Sequence, residues 1–385
     1  MKNLTVSSSP HIVQKSKTTR SIMLDVLVAL APALVMSVLL FGYHVLLNVA
    51  VCMGSCFGFE LLFSLIRKKD FSRKAVKQSS CWDCSCLVTG LILALNLPRV
   101  IVVDKWNWNV YRTMPDIQGI RAADYVAFSG DTLVLCVLAS LVAIVLVKLL
   151  FGGIGKNFAN PAATTRVFLF LAFGLTWTNT MGLGSLLSAS TGATWLSSLG
   201  KPTGGQNFFW QLFIGNRGAA AVGETCMVAI LLGYLYLSVK RIIDFRLPLI
   251  IIGSAAVFAL LFDGLPHHLK GAALLKNMLA HCMSGGLVFG AVFMATDYST
   301  SPNTFWGSAV FGVGIALFTM LICAFANAAE GMSFAILIMN CVVPLIDKWM
   351  VPRPFGYTKA VKEKPKKTAD SPLPYNETDK GGAKI

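Results

Sequence analysis

Apolar residues run in blocks along this chain, and polar residues gather between the blocks rather than alternating within them. Blocks near 22–41, 44–66, 85–98, 132–150, 164–178, 222–240, 247–262, 279–295, 305–325 and 331–347 predict helices. A bilayer core takes about 20 residues of helix per crossing. In hydrocarbon every backbone polar group needs an internal partner, which helices supply. The pattern therefore predicts an all-α polytopic membrane protein of about ten transmembrane helices. The third, fifth and eighth blocks are short, and short, glycine-interrupted spans mark broken helices lining a site. The first block follows about 20 polar residues and is too long for the apolar stretch of a signal peptide, so no cleavable signal is expected.

Composition agrees. Of 385 residues, 55% are hydrophobic and 13% charged, against about 25% charged in soluble domains. The net charge of +15 suggests nucleic acid until its distribution is read. Ten spans put both termini on one side. Most of the 33 Lys and Arg residues fall there: the N-terminal segment, Arg67 to Lys77, Lys148, Lys156, Arg166, Lys240 to Arg246, and the tail from Lys348. That bias predicts that both termini are cytoplasmic. Anionic lipids of the inner leaflet account for the basic charge, and no nucleic acid is needed.

The chain repeats itself. Phe158-Ala159-Asn160-Pro161-Ala162-Ala163 resembles Phe325-Ala326-Asn327-Ala328-Ala329-Glu330, and Gly90-Leu91-Ile92-Leu93-Ala94 resembles Gly286-Leu287-Val288-Phe289-Gly290. The spacings differ by an insertion near 99–131 in the first half. Halves with an odd number of spans are antiparallel, so two inverted five-helix repeats are expected, with a site at the broken helices. The organisation reads as an N-terminal segment 1–21, a first repeat 22–178, an outer loop 179–221, a second repeat 222–347 and a basic tail 348–385.

Acidic residues at membrane depth are costly and often functional. Asp25, Glu60 and Asp297 are therefore ion-coupling candidates, and Glu224 opens the sixth span. Each has a plainer reading as an interfacial or capping charge. Arg217, in the outer loop, suits a phosphate or a solvated position. Cys81, Cys84 and Cys86 lie close together on the inner side. A full metal site takes four ligands, and no fourth Cys or nearby His is apparent, so free thiols are expected.

The outer loop contains Ser190-Thr191-Gly192-Ala193-Thr194. Small residues around one hydroxyl leave the Thr194 oxygen open to a modifying enzyme, although such a string is most often just a loop.

Several segments together resemble the D subunit of the Rnf electron-transport complex. They are Ser7-Ser8-Ser9-Pro10-His11-Ile12, Met23-Leu24-Asp25-Val26, Leu87-Val88-Thr89-Gly90-Leu91, Asn160-Pro161-Ala162, Gly223-Glu224-Thr225, Ser284-Gly285-Gly286, Met294-Ala295-Thr296-Asp297 and Thr300-Ser301-Pro302. The B subunit of the sodium-pumping NADH:quinone reductase is a related second match.

The resemblance implies a subunit of an ion-translocating oxidoreductase that couples electron transfer between ferredoxin and NAD to Na+ or H+ movement. It implies FMN joined through its phosphate to Thr194, with Thr191, Gly192 and Ala193 completing the motif and Arg217, Glu224 and Thr225 nearby. It also implies other Rnf-type subunits and a flavin transferase as partners, and leaves room for a second, non-covalent flavin. The chain departs from the family pattern at Leu187-Ser188-Ala189-Ser190, where an acid is common, and at Trp195. A cofactor-free inverted-repeat transporter or channel is the alternative.

Overall fold

The computed structural model describes residues 18–41, 44–69, 79–97, 128–172, 221–224, 226–264, 271–283, 286–325 and 331–351, with 72, 76 and 213. These residues are helical or in turns, and no strand occurs among them. The helices are α1 (Thr19–Phe41), α2 (His44–Lys68), α3 (Ser85–Asn96), α4 (Phe128–Leu141), α5 (Pro161–Ala172), α6 (Met227–Val239), α7 (Arg246–Ala259), α8 (Ala272–Met283), α9 (Leu287–Phe289), α10 (Phe305–Phe325) and α11 (Gly331–Trp349). Three of them continue as π-helix: α4 through Val142–Leu149, α7 through Leu260–Gly264 and α9 through Gly290–Met294. Tight 3-10 turns at Ser80–Asp83 and Val222–Glu224 precede α3 and α6.

Four helices among the described residues are long and apolar enough to cross a membrane: Thr19–Leu40, Val45–Lys68, Phe305–Cys323 and Gly331–Trp349. Their large apolar side chains stay exposed along one side, as Leu39, Leu62 and Val310 show. That surface suits lipid rather than water.

α3 is different. It has 12 residues, eleven of them buried, and stops where Leu97 turns extended at ψ 154°. At 1.5 Å per residue it is about 18 Å long, short of a bilayer core of about 30 Å. The eighth block, read as a short, glycine-interrupted span near 279–295, is described as two helices: α8 ends at Met283 and α9 begins at Leu287. Ser284-Gly285-Gly286 lies between them, and glycine favours a break over continued helix.

α1 packs on α6, α2 on α3 and α4, α7 on α10, α10 on α11, and α5 on α11. The α1–α6 contact is close because a side chain on Gly233 would strike the Ala29 carbonyl. Gly90 lets α3 approach the α2 backbone at Met53 in the same way. Small residues at such crossings are how apolar helices associate in lipid, where burial alone gives little drive.

Candidate functional site

Polar groups converge where the short helices stop. Asn96 ends α3, Arg166 projects from the middle of α5, and Glu224 closes the turn ahead of α6. Arg166 Nη1 pairs with Glu224 Oε1 and donates to Asn96 Oδ1 at 3.1 Å. The two charged side chains are only 4% and 3% exposed. A side chain on Gly286, just before α9, would collide with Glu224 Oε1, and one on Gly223 would meet Leu95. Glycine at both points lets four chain segments meet around one ion pair. Glu224 therefore faces into the bundle, toward Arg166.

A second joint ties α5 to the other half. Asn160 caps α5, its Oδ1 accepting from Ala162 N at 3.0 Å and Ala163 N at 3.2 Å. Its Nδ2 donates to the Met294 carbonyl at 2.9 Å. With its amide oriented to satisfy both neighbours, Asn340 of α11 accepts from Asn160 N at 3.0 Å and donates to the Thr300 carbonyl at 3.1 Å.

Lys148, in the π-helical end of α4, forms another buried pair. Its Nζ donates to Glu60 Oε2 at 2.6 Å and to Ser85 Oγ at 2.7 Å. Ser80 Oγ donates to the other carboxylate oxygen, Glu60 Oε1, at 3.0 Å. The side chains of Lys148 and Glu60 are 3% and 0% exposed. π-Helical turns recur at functional sites because they displace side chains from the regular helical register. Lys148 and Arg166, counted in sequence among the surface charges of the inner face, are thus interior. A charge taken from water needs an opposite charge beside it, and Glu60 and Glu224 supply one each.

On the side of the bundle where α1 begins and α6 ends lies a cavity of about 580 Å³. Ile22, Val26, Ile92 and Phe293 give it apolar walls, and Ser85, Lys148, Asn157, Asp297 and Ser299 give it polar ones. The buried Asn157 Oδ1 has no hydrogen-bond partner. Asp297 Oδ2 accepts from Ser299 Oγ at 2.8 Å and Thr300 Oγ1 at 3.4 Å. Asp297 lies in the turn after the helix, partly open to the cavity and otherwise enclosed by protein. Burial pushes its carboxyl above the usual carboxylate range, against the pull of those hydrogen bonds.

The other acidic candidate, Asp25, is not in the cavity wall. It accepts from Tyr236 Oη at 2.8 Å and Lys240 Nζ at 3.3 Å, joining α1 to α6. The three clustered thiols turn to separate partners: Cys81 Sγ to Ser79 Oγ at 2.6 Å, Cys84 Sγ to the Trp82 carbonyl at 3.6 Å and Cys86 Sγ to the Cys81 carbonyl at 3.7 Å. Thr191, Gly192, Ala193, Thr194, Arg217 and Thr225 lie outside the described residues, as does most of the insertion near 99–131.

Sequence reasoning missed Asn96, Lys148, Arg166 and Asn340 as site residues. For the two bases the signal was present: each sits inside or beside an apolar run, where a lone cation calls for an acid in another run.

The NQR2, RnfD, RnfE family matches residues 5–106 and 130–356 of this chain. The chain belongs to this family. The gap between the matched stretches falls within the insertion inferred from the repeat. One relative is the D subunit of the Na(+)-translocating ferredoxin:NAD(+) oxidoreductase complex of Acetobacterium woodii, 36% identical over 94% of this chain and 98% of the relative. The D subunit of the proton-translocating ferredoxin:NAD(+) oxidoreductase complex of Clostridium ljungdahlii is 33% identical over 91% of this chain and 96% of its own. The D subunit of the ion-translocating oxidoreductase complex of Actinobacillus succinogenes is 30% identical over 91% and 98%.

Proposed function

We propose that this chain is the D-type membrane subunit of an ion-translocating ferredoxin:NAD+ oxidoreductase complex in the bacterial cytoplasmic membrane, and that it carries covalent FMN on Thr194. The observation that carries this reading is the nearly end-to-end match to relatives named as that subunit. FMN, when bound, supplies the electron transfer; the protein supplies position and electrostatics. In this reading Thr191, Gly192 and Ala193 leave the Thr194 hydroxyl accessible, Arg217 offsets the phosphate charge, and Thr225 belongs to the same motif as Glu224. Glu224 acts one step back, holding the turn from which the outer loop rejoins the bundle.

The packing supports two inverted repeats, and the charge bias supports cytoplasmic termini for a chain of ten spans. The α2–α4 contact of the first half has its counterpart in α7–α10 of the second, and α5–α4 in α11–α10. α1 with α6, and α5 with α11, are then the contacts on the pseudo-two-fold axis. α3 and α9 become equivalent short elements, as the Gly90 and Gly286 repeat suggests.

In this arrangement the cavity opens to the cytoplasm. Its volume falls in the range of about 300–1,000 Å³ typical of small-molecule sites. The partnerless Asn157 Oδ1 suits a ligand with an N–H donor, which an isoalloxazine ring has, so the cavity is the place for a second, non-covalent flavin. Glu60 and Asp297 border it, directly or through Lys148, and are the foremost ion-coupling groups, with Asp25 a third.

The decisive experiment is mass spectrometry of the peptide containing Thr194, from protein matured with a flavin transferase. The expected result is an added flavin phosphate, and a fluorescent band on a denaturing gel that Thr194→Ala abolishes. An unmodified peptide would favour the cofactor-free transporter instead.

A further inference from the structure

We propose that Arg246 and the rings of Phe245, Phe305 and Trp306 form a headgroup site for an anionic phospholipid where α7 and α10 enter the membrane. This rests on the reading of the chain as a bilayer-spanning subunit and draws nothing from the flavin at Thr194. In the ten-span topology the site lies on the cytoplasmic side, whose leaflet carries a negative surface potential.

Two helices start side by side here. A side chain on Gly312 of α10 would meet Leu247 and Ile250 of α7, so the two cross closely near their starts. The Arg246 guanidinium lies over the Phe245 ring at 5.5 Å and over the Phe305 ring at 5.1 Å. Trp306 packs against Phe305 in a T-shaped contact, with centroids 5.5 Å apart. Tyr234 Oη donates to the Phe245 carbonyl at 2.6 Å and steadies the backbone that carries the first ring. Asp244 Oδ1 accepts from Arg246 N at 3.1 Å, so that carboxylate serves the backbone rather than the guanidinium.

Contact with ring faces fixes where a guanidinium sits and leaves its N–H edge free. That edge matches the oxygens of a phosphate in a bidentate way. Arg246 and all three rings are exposed, Trp306 at 71%. About one turn further along, Leu249 on α7 and Val310 on α10 are exposed too, and the lipid-facing surface begins with them. Charge, then aromatic rings, then aliphatic side chains follow one another down the same helices. Aromatic side chains settle at the headgroup level of a bilayer, and aliphatic ones face acyl chains. A free anion would use only the charge. An anionic phospholipid uses all three layers, and both the charge and the continuity with the lipid-facing surface select it.

The test titrates the full-length chain in detergent with phosphatidylglycerol or phosphatidylcholine and reads bound lipid by native mass spectrometry. The wild type should retain phosphatidylglycerol in preference. Arg246→Gln should lower its apparent affinity about tenfold, through loss of one charge-assisted contact. Phe305→Leu keeps the charge and the apolar character but frees the guanidinium, and should weaken binding several-fold. Arg241→Gln removes another exposed arginine, outside the ring cluster, and should leave the affinity nearly unchanged. Diffuse attraction to the leaflet would treat the two arginines alike, so equal losses at Arg246 and Arg241 would overturn the proposal. So would a wild type without preference for phosphatidylglycerol. Unchanged affinity in Phe305→Leu would overturn it whatever Arg246→Gln does to folding. Displacement of the lipid by an equal concentration of inorganic phosphate would make this a free-anion site and overturn it as well. None of these outcomes bears on the flavin at Thr194, whose peptide mass is read separately.

Discussion

Arg166 and Glu224 are paired inside the bundle, 58 residues apart in sequence, and the stretch of chain that holds Thr194 begins and ends at this pair. α5 leads out to the loop and the Val222–Glu224 turn brings it back. One buried bond thus ties the middle of α5 to the turn ahead of α6. Removing one member of a buried pair strands the other charge, at a cost of about 3–5 kcal/mol. Arg166→Met should therefore lower the Tm sharply, whereas Arg166→Met/Glu224→Gln should recover most of the loss. A double variant no more stable than the single one would show that the pair's partners, Asn96 among them, matter more than its charge balance.

The α1–α6 crossing makes a sharper packing prediction. A methyl group at Gly233 would press on the Ala29 carbonyl and the Phe293 ring. Overpacking of this kind costs about 1–3 kcal/mol. Gly233→Ala should lower the Tm by several degrees. Gly253, on α7, has nothing within 4 Å of a Cβ position. Gly253→Ala should be neutral or slightly stabilising, since alanine gains up to about 1 kcal/mol over glycine within a helix. Equal responses at the two positions would mean that helix propensity, not contact, sets the outcome.

The long helices were legible because lipid imposes an apolar requirement on every exposed position. The expected spans at 305–325 and 331–347 agree with Phe305–Phe325 and Gly331–Trp349 to within two residues. The interruption before Gly286 was legible as a short, glycine-interrupted block near 279–295, but its position was not, since a window averaged over that block stays apolar across it. Nor were the ion pairs. Lys148 and Arg166 look like the ordinary basic residues at a span end, and their acids lie 88 and 58 residues away. Local pattern carries no information about such partners; only the requirement that a buried charge be matched does. Glu60 was found by its depth within a span and Glu224 and Asp297 by their places at span ends and in the resemblance, and the structure adds what each one faces.

Asp297 should make stability depend on pH. Burial favours its protonated form in the folded protein, raising its pKa from an ordinary value of 3.8. Between those two values the folded state holds more protons than the unfolded one, so stability falls as pH rises through the window. Asp297→Asn is neutral throughout and should flatten that part of the Tm–pH curve. A slope unchanged by the substitution would assign the effect to another group.

Asp25 offers the cleanest separation of coupling from folding. Its side chain and that of Lys240 are 23% and 51% exposed, and Tyr236 adds a hydrogen bond at 2.8 Å. A pair this open to solvent contributes about 0–1 kcal/mol, and an asparagine oxygen still accepts from the tyrosine. Asp25→Asn should therefore leave the Tm and the flavin content close to wild type. If the carboxylate takes part in coupling, ion uptake per electron transferred should fall in vesicles containing the reconstituted complex while electron transfer continues. Because the fold is spared, that fall reports on the charge itself. Unchanged uptake would confine Asp25 to fastening α1 against α6 and leave Glu60 and Asp297 as the coupling acids.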